Sequence, residues 1–219
     1  MKFLKSILIG LAVALSFNSA SAQYYQIANQ LSNILRPALS GSMSYKGFVE
    51  VNGIAGVGPN RANFIGISTS QGFQYSSWFY MGVGMGIDIA MARNVDDRPE
   101  INYYDGPTAK NQAMLPLFTD FRFNFGSAAG ASFFIDAKLG AAWFLGNKYL
   151  MLYDRCMSHS AQFFLQPTIG VRIPVSLNDT RHAMNLGLTY RLITSNNNYS
   201  WNNNTATLNG FGLAIAYEW

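Results

Sequence analysis

Residues 79–91 read FYMGVGMGIDIAM. The odd positions are Phe79, Met81, Val83, Met85, Ile87, Ile89 and Met91; the even positions are Tyr80, Gly82, Gly84, Gly86, Asp88 and Ala90. Successive side chains of a β-strand point to opposite faces, so this order puts every aliphatic chain on one face and small or polar residues on the other. A helix would scatter the same residues around its axis. The stretch also exceeds the roughly 9–11 residues with which a tilted strand crosses a bilayer.

Seven further segments alternate in the same way. Tyr45 to Val57 sets Val49, Val51 and Ala55 against Lys46, Glu50 and Asn52, and Phe64 to Tyr75 sets Ile65, Ile67 and Phe73 against Gly66, Ser68, Ser70 and Gln74. Leu115 to Phe125 sets Leu117, Phe121, Phe123 and Phe125 against Asp120, Arg122 and Asn124, and Phe133 to Leu145 sets Ile135, Leu139, Trp143 and Leu145 against Asp136, Lys138 and Gly140. Phe163 to Val175 opposes Leu165, Ile169, Val171 and Ile173 to Gln166, Thr168 and Arg172. In Asn185 to Ile193 the parity flips, with Leu186, Leu188, Tyr190 and Leu192 opposite Asn185, Thr189 and Arg191. Gly210 to Trp219 closes the series, with Phe211, Leu213, Ile215, Tyr217 and Trp219 opposite Gly212, Ala214, Ala216 and Glu218. The expectation is eight strands.

Alternation alone also fits a soluble β-sandwich, so the polar face must decide. In a sandwich that face meets water and carries abundant charge. Only 12% of this chain is charged, against about 25% in an ordinary soluble domain. The polar-face charges are Lys46, Arg122, Lys138, Arg172 and Arg191 against Glu50, Asp88, Asp120, Asp136 and Glu218, five of each sign. Equal numbers are what a closed interior with internal ion pairs requires, because an unpaired buried charge costs several kcal/mol. The apolar face then points outward into lipid. No uninterrupted apolar run reaches the roughly 18–20 residues of a membrane-spanning helix, so a helical bundle is excluded. The expected fold is an all-β, eight-stranded antiparallel up-and-down transmembrane barrel over residues 45–219.

The connections support it. Ser76–Ser77 and Gly126–Gly130 are tight and Ser176–Ala183 is moderate, whereas Ala92–Met114, Gly146–Gln162 and Thr194–Asn209 are long. An even strand count puts both barrel ends on the short-turn side. The turn at Gly58-Pro59-Asn60 is short where the pattern asks for a long one. Aromatic residues gather at strand ends: Tyr75, Trp78, Phe79, Phe125, Tyr217 and Trp219 at one rim, Trp143, Tyr149, Tyr153 and Phe163 at the other. Inward Pro174 and outward Pro167 are expected to interrupt the sixth strand's ladder.

Residues 1–22 read as a secretory signal peptide: Lys2 and Lys5, an apolar core from Ile7 to Phe17, and the small-residue site Ala20-Ser21-Ala22. Its removal leaves thirteen Lys and Arg against eleven Asp and Glu, a net charge of +2 and no case for nucleic acid. Residues 23–44 form a leader in which Ile27, Leu31, Ile34 and Leu35 recur at helical spacing before Pro37. A short amphipathic helix on the membrane or in the periplasmic mouth, and a leader with no structural role, both fit. A lone Cys156 excludes an intramolecular disulfide.

The chain resembles the small outer-membrane β-barrel proteins of Gram-negative bacteria, the OmpA/OmpX/OmpW-like barrels. The residues that carry the likeness are the glycine-alternating strand from Met81, the LPLFTDFRF strand from Leu115, and the terminal FGLAIAYEW from Phe211. Terminal Trp219, preceded at alternate positions by Phe211, Leu213, Ile215 and Tyr217, looks like the signal read by the barrel-assembly machinery; the commoner final residue is Phe. The resemblance implies an outer-membrane location, insertion by that machinery, and contact with outer-membrane lipid and lipopolysaccharide. It implies no single activity.

Three functions compete. In a structural or surface-binding barrel, the paired charges and inward Phe48, Phe118, Phe134 and Phe164 close the interior, and long loops such as Asn196–Asn204 meet glycan or protein ligands. In a narrow transporter of small or apolar solutes, the inward glycines leave open volume. A lipid-modifying enzyme would need a constellation the chain lacks: His159 sits between Ser158 and Ser160 with Asp154 nearby, but there is no nucleophile elbow, and two histidines and one cysteine are few metal ligands. The first reading is preferred, with no enzymatic activity, cofactor or metal.

Overall fold

In the computed structural model the described residues are 43–76, 78–93, 108–126, 130–152, 156–157, 159–175, 181–195 and 206–219. The signal peptide, all but the end of the leader and the Asn-rich segment 196–205 lie outside them. Eight long strands form a closed barrel: β1 (Ser44–Val57), β2 (Ala62–Gln74), β3 (Phe79–Ala92), β5 (Asn111–Phe125), β6 (Ser132–Phe144), β9 (Gln162–Pro174), β10 (Ala183–Ser195) and β11 (Ala206–Glu218). Each pairs antiparallel with its predecessor, and β11 returns to β1. Three short strands, β4 (Thr108–Ala109), β7 (Tyr149–Met151) and β8 (Cys156–Met157), make a separate small sheet within the long connections.

The register sets the barrel's width. Gly47 pairs with Gln71, and the circuit runs through Val83, Thr119, Leu139, Leu165, Leu192 and Asn209 to Val57. It thus returns to β1 ten residues from its start. Such a stagger tilts eight strands by about 35–45° and leaves an interior just wide enough for side chains to fill. The alternation separates the two faces. Ile67, Met85, Ile135, Ile169 and Leu213 are exposed outside, while Glu50, Asp88, Arg122, Lys138 and Arg191 are buried inside. A wall apolar outside and charged inside is the inverse of a soluble protein and matches a lipid-facing surface.

Several expectations need correction. β5 begins at Asn111 rather than Leu115, and β11 at Ala206 rather than Gly210. Asn111, Gln112 and Ala113 have weak strand preference, but Met91, Ala90 and Ile89 of β3 supply their ladder partners. Pro174 does not interrupt the ladder, because it is the last residue of β9 and stays paired with Ala183. Pro167 does: with no N–H to donate, it and Gln166 fall out of the β9–β10 register. Pro116, overlooked in the sequence, makes the same gap between β5 and β3, where Gly86 and Ile87 have no partner in β5. Tyr149 begins the small sheet's β7, its ring 4.6 Å from that of His159 and tilted against it.

Candidate functional site: the barrel lumen

The alternation sends all ten candidate charges inward. Nine are at most 4% exposed, and Lys46, nearest the short-turn end, keeps 14% of its side chain accessible. Lys138 Nζ lies 2.5 Å from Glu50 Oε2 and 3.6 Å from Asp136 Oδ2. Arg191 Nη1 lies 3.1 Å from Asp88 Oδ1. In the eight-strand circuit β6 stands opposite β1 and β10 opposite β3, so the Lys138–Glu50 and Arg191–Asp88 pairs both span the diameter. They cross the lumen as two struts.

Gln166 ties them together. It donates to Glu50 Oε1 at 3.2 Å and accepts from Arg191 Nε at 2.9 Å and Nη2 at 2.7 Å. Arg191 Nη2 also donates to Asn52 at 3.1 Å, and Arg122 Nη2 donates to Asp136 at 3.1 Å. A chain of charged contacts thus runs from Arg122 through Asp136, Lys138, Glu50, Gln166 and Arg191 to Asp88. A second group sits at the short-turn end, where Glu218 accepts from Arg172 Nε at 2.9 and 3.1 Å and from Lys46. Asp120 accepts from Ser70 Oγ at 2.5 Å.

The inward aromatics complete the filling. Arg122 is held between Phe48 and Phe134, its guanidinium carbon 4.1 and 4.4 Å from their ring centroids. Arg191 lies 5.1 Å from Phe64 and 5.4 Å from Phe164. A desolvated cation over a ring face gains about 2 kcal/mol, which helps offset its removal from water. The inward glycines are sockets for these groups. A Cβ on Gly66 would strike the Asp88 carboxylate, on Gly82 the Tyr80 hydroxyl, on Gly84 the Phe118 ring, and on Gly170 the Phe134 ring. The volume at Gly66, Gly84 and Gly170 is occupied by side chains from neighbouring strands, that at Gly82 by Tyr80 of its own strand, and Gly140 and Gly212 lie against neighbouring backbone. Gly84→Val is therefore expected to lower stability by about 1–3 kcal/mol through overpacking, read as a lower urea midpoint of the refolded protein.

The long-loop half of the lumen is more apolar than the four inward phenylalanines alone would make it. Ile54, Phe64, Met114, Phe144, Ile193 and Leu208 point inward there and form one apolar cluster with Leu150, Leu152 and Met157 from the connection between β6 and β9. The sequence carried a signal for the strand members: Ile54 shares the parity of Glu50, Met114 that of Asp120, Phe144 that of Lys138 and Ile193 that of Arg191. Leu150, Leu152 and Met157 had none, because they belong to a loop that folds back on the mouth.

Outside the lumen, the two histidines lie at opposite ends. His159 Nδ1 is 3.4 Å from the Phe144 carbonyl oxygen, near the long-loop mouth. His182 Nδ1 is 2.8 Å from the Tyr217 hydroxyl at the short-turn rim. Ser158 and Asp154 lie outside the described residues. Among the described residues no group of three or more His, Cys, Asp or Glu is placed to hold a metal ion. Of the candidate assembly signal, Phe211, Leu213, Ile215 and Tyr217 face outward along β11, and half-buried Trp219 follows its end.

These features define an eight-stranded up-and-down barrel of the transmembrane type, with a lumen filled by a charge network and an apolar tier. The fold is that of the small outer-membrane barrels. The crystal structure of Neisserial surface protein A aligns with a TM-score of 0.52 at 12% identity, over 80% of this chain and 97% of its own. The outer membrane enzyme PagL (TM-score 0.48, 13% identity, 76% of this chain and 97% of its own) and the N-terminal barrel domain of Pseudomonas aeruginosa OprF (TM-score 0.41, 11%, 80% and 97%) are more distant. At these identities the likeness is one of fold. No family model matches the chain, and no curated protein matches it significantly.

Proposed function

We propose that the protein is a closed-lumen barrel of the Gram-negative outer membrane, exported through a cleaved signal peptide, with a structural or surface-binding role and no enzymatic activity. The observation that carries this reading is the pair of crossed ionic struts. Ion passage would require Lys138–Glu50 and Arg191–Asp88 to part at once, in a medium where each freed charge loses several kcal/mol. The apolar tier above them adds a second barrier. The lipid-facing exterior and the aromatic rim support partners in outer-membrane lipid and lipopolysaccharide, and the terminal segment supports insertion by the barrel-assembly machinery. The long connections are the surface left for a glycan or protein ligand.

The test is single-channel recording of the mature, refolded protein in planar bilayers, with a heat-modifiable gel shift to establish folding. A folded and electrically silent protein is the expected result. Discrete conductance steps that change when Lys138 is replaced by Met would overturn the closed lumen and favour a narrow transporter.

A further inference from the structure

Barrel closure brings β11 against β1, and at this seam hydrophobic patterning does not choose the register. The outward residues are Val49, Val51, Gly53 and Ala55 on β1, and Phe211, Leu213, Ile215 and Tyr217 on β11. A slip of two residues in either direction keeps all of them outward, because the side-chain period of a strand is two. Yet one register is adopted, pairing Phe48 with Glu218 and Val57 with Asn209.

The last two residues supply the missing specificity, one on each side of the wall. Inside, Glu218 accepts from Lys46 of β1 and Arg172 of β9. Outside, Trp219 exchanges two backbone hydrogen bonds with Gly47, each 3.1 Å. Its indole lies over Gly47, where an added Cβ would collide with the ring. Gln71 of β2 bounds the same notch; its amide accepts from the Tyr45 hydroxyl and donates to Thr69 Oγ1 at 2.8 Å. Gly47 is not among the glycines with positive φ, which are Gly58, Gly126 and Gly146, so its backbone does not demand glycine. The ring does. A two-residue slip would lay the indole over Tyr45 or Val49, both of which carry side chains.

We propose that Glu218-Trp219 is a two-sided register clamp for barrel closure, with Gly47 as the receptor for the terminal indole. The outer half extends across the rim: Trp219 stacks on Tyr217 at 6.2 Å, and Tyr217 stacks on His182 at 5.9 Å. The clamp thereby links β10, β11, β1 and β2 at the short-turn rim.

Seam crosslinking tests the proposal. In a Cys156→Ser background, Val51→Cys with Ile215→Cys reports the native pairing, and Val49→Cys with Ile215→Cys reports a two-residue slip. Adding Gly47→Val is expected to reduce the native crosslink about tenfold, since the added side chain would strike both the Trp219 ring and the Gln71 amide. Gly53→Val lies on the same face of the same strand with nothing within 4 Å, and is expected to leave the crosslink unchanged. Combining Gly47→Val with Trp219→Ala removes the collision with the ring, leaving only the flexible end of Gln71 to yield, and is expected to restore the native crosslink to the level of Trp219→Ala alone. A full native crosslink in Gly47→Val, an equal loss in Gly53→Val, or no rescue in the double variant would each overturn the clamp.

Discussion

Replacing Lys138 by alanine is expected to lower the unfolding free energy by about 3–5 kcal/mol, the penalty for breaking a buried ion pair from one side. The expected loss is large because Lys138 serves two acids. Glu50 and Asp136 would both remain inside the wall, 4% and 0% exposed. Arg122 would still pair with Asp136 at 3.1 Å, but Glu50 would keep only the neutral Gln166 amide at 3.2 Å in place of a cation at 2.5 Å. The measurement is reversible urea unfolding of the protein refolded into lipid vesicles. The double replacement Glu50→Met with Lys138→Met removes both ends of the strut and should regain much of the loss, because a buried pair exchanged for packed apolar groups is often close to neutral. A single variant as stable as the parent would mean that the lumen is wet enough to solvate the freed acids.

Leu213→Arg is the second large effect, about 2–4 kcal/mol, because Leu213 lies midway along β11 and is 62% exposed on the outer wall. Phe133→Arg, at the rim of β6 and 69% exposed, should cost only about 0–1 kcal/mol. Both side chains leave the barrel surface equally, so a soluble protein would tolerate both. Depth in a bilayer is what separates them, since an arginine near the edge can extend its guanidinium to water. Equal, small effects in vesicles would remove the argument that the apolar wall faces lipid.

Much of the fold was legible because a period of two is local. Gly82, Gly84 and Gly86 against Val83, Met85 and Ile87 assign the two faces of β3 without reference to any other strand. The same parity carried the charges to the interior. It did not tell which charge meets which. Lys138 stands beside Asp120 in the β5–β6 ladder, and a reading by neighbours would pair them. The long side chain instead crosses the lumen to Glu50, because Arg122 already donates to Asp136 and Ser70 to Asp120. Strand ends were less legible, since Asn111 to Ala113 become strand only when β3 offers its edge.

By itself, the sequence determined the number of barrel strands, the inside–outside assignment of the residues within the eight segments it marked, and the equality of inward charge. All follow from side-chain direction along one strand and from the high cost of burying unequal charge. Tertiary structure decided the stagger of the closed sheet, and with it the level at which each side chain enters the lumen. That level makes Lys138–Glu50 and Arg191–Asp88 diametric partners, sets Gly66 against the Asp88 carboxylate and Gly84 and Gly170 against the Phe118 and Phe134 rings, and brings Leu150, Leu152 and Met157 over the mouth. These are contacts between residues far apart in the chain. Their geometry depends on how eight strands close on one another, a property no single strand carries.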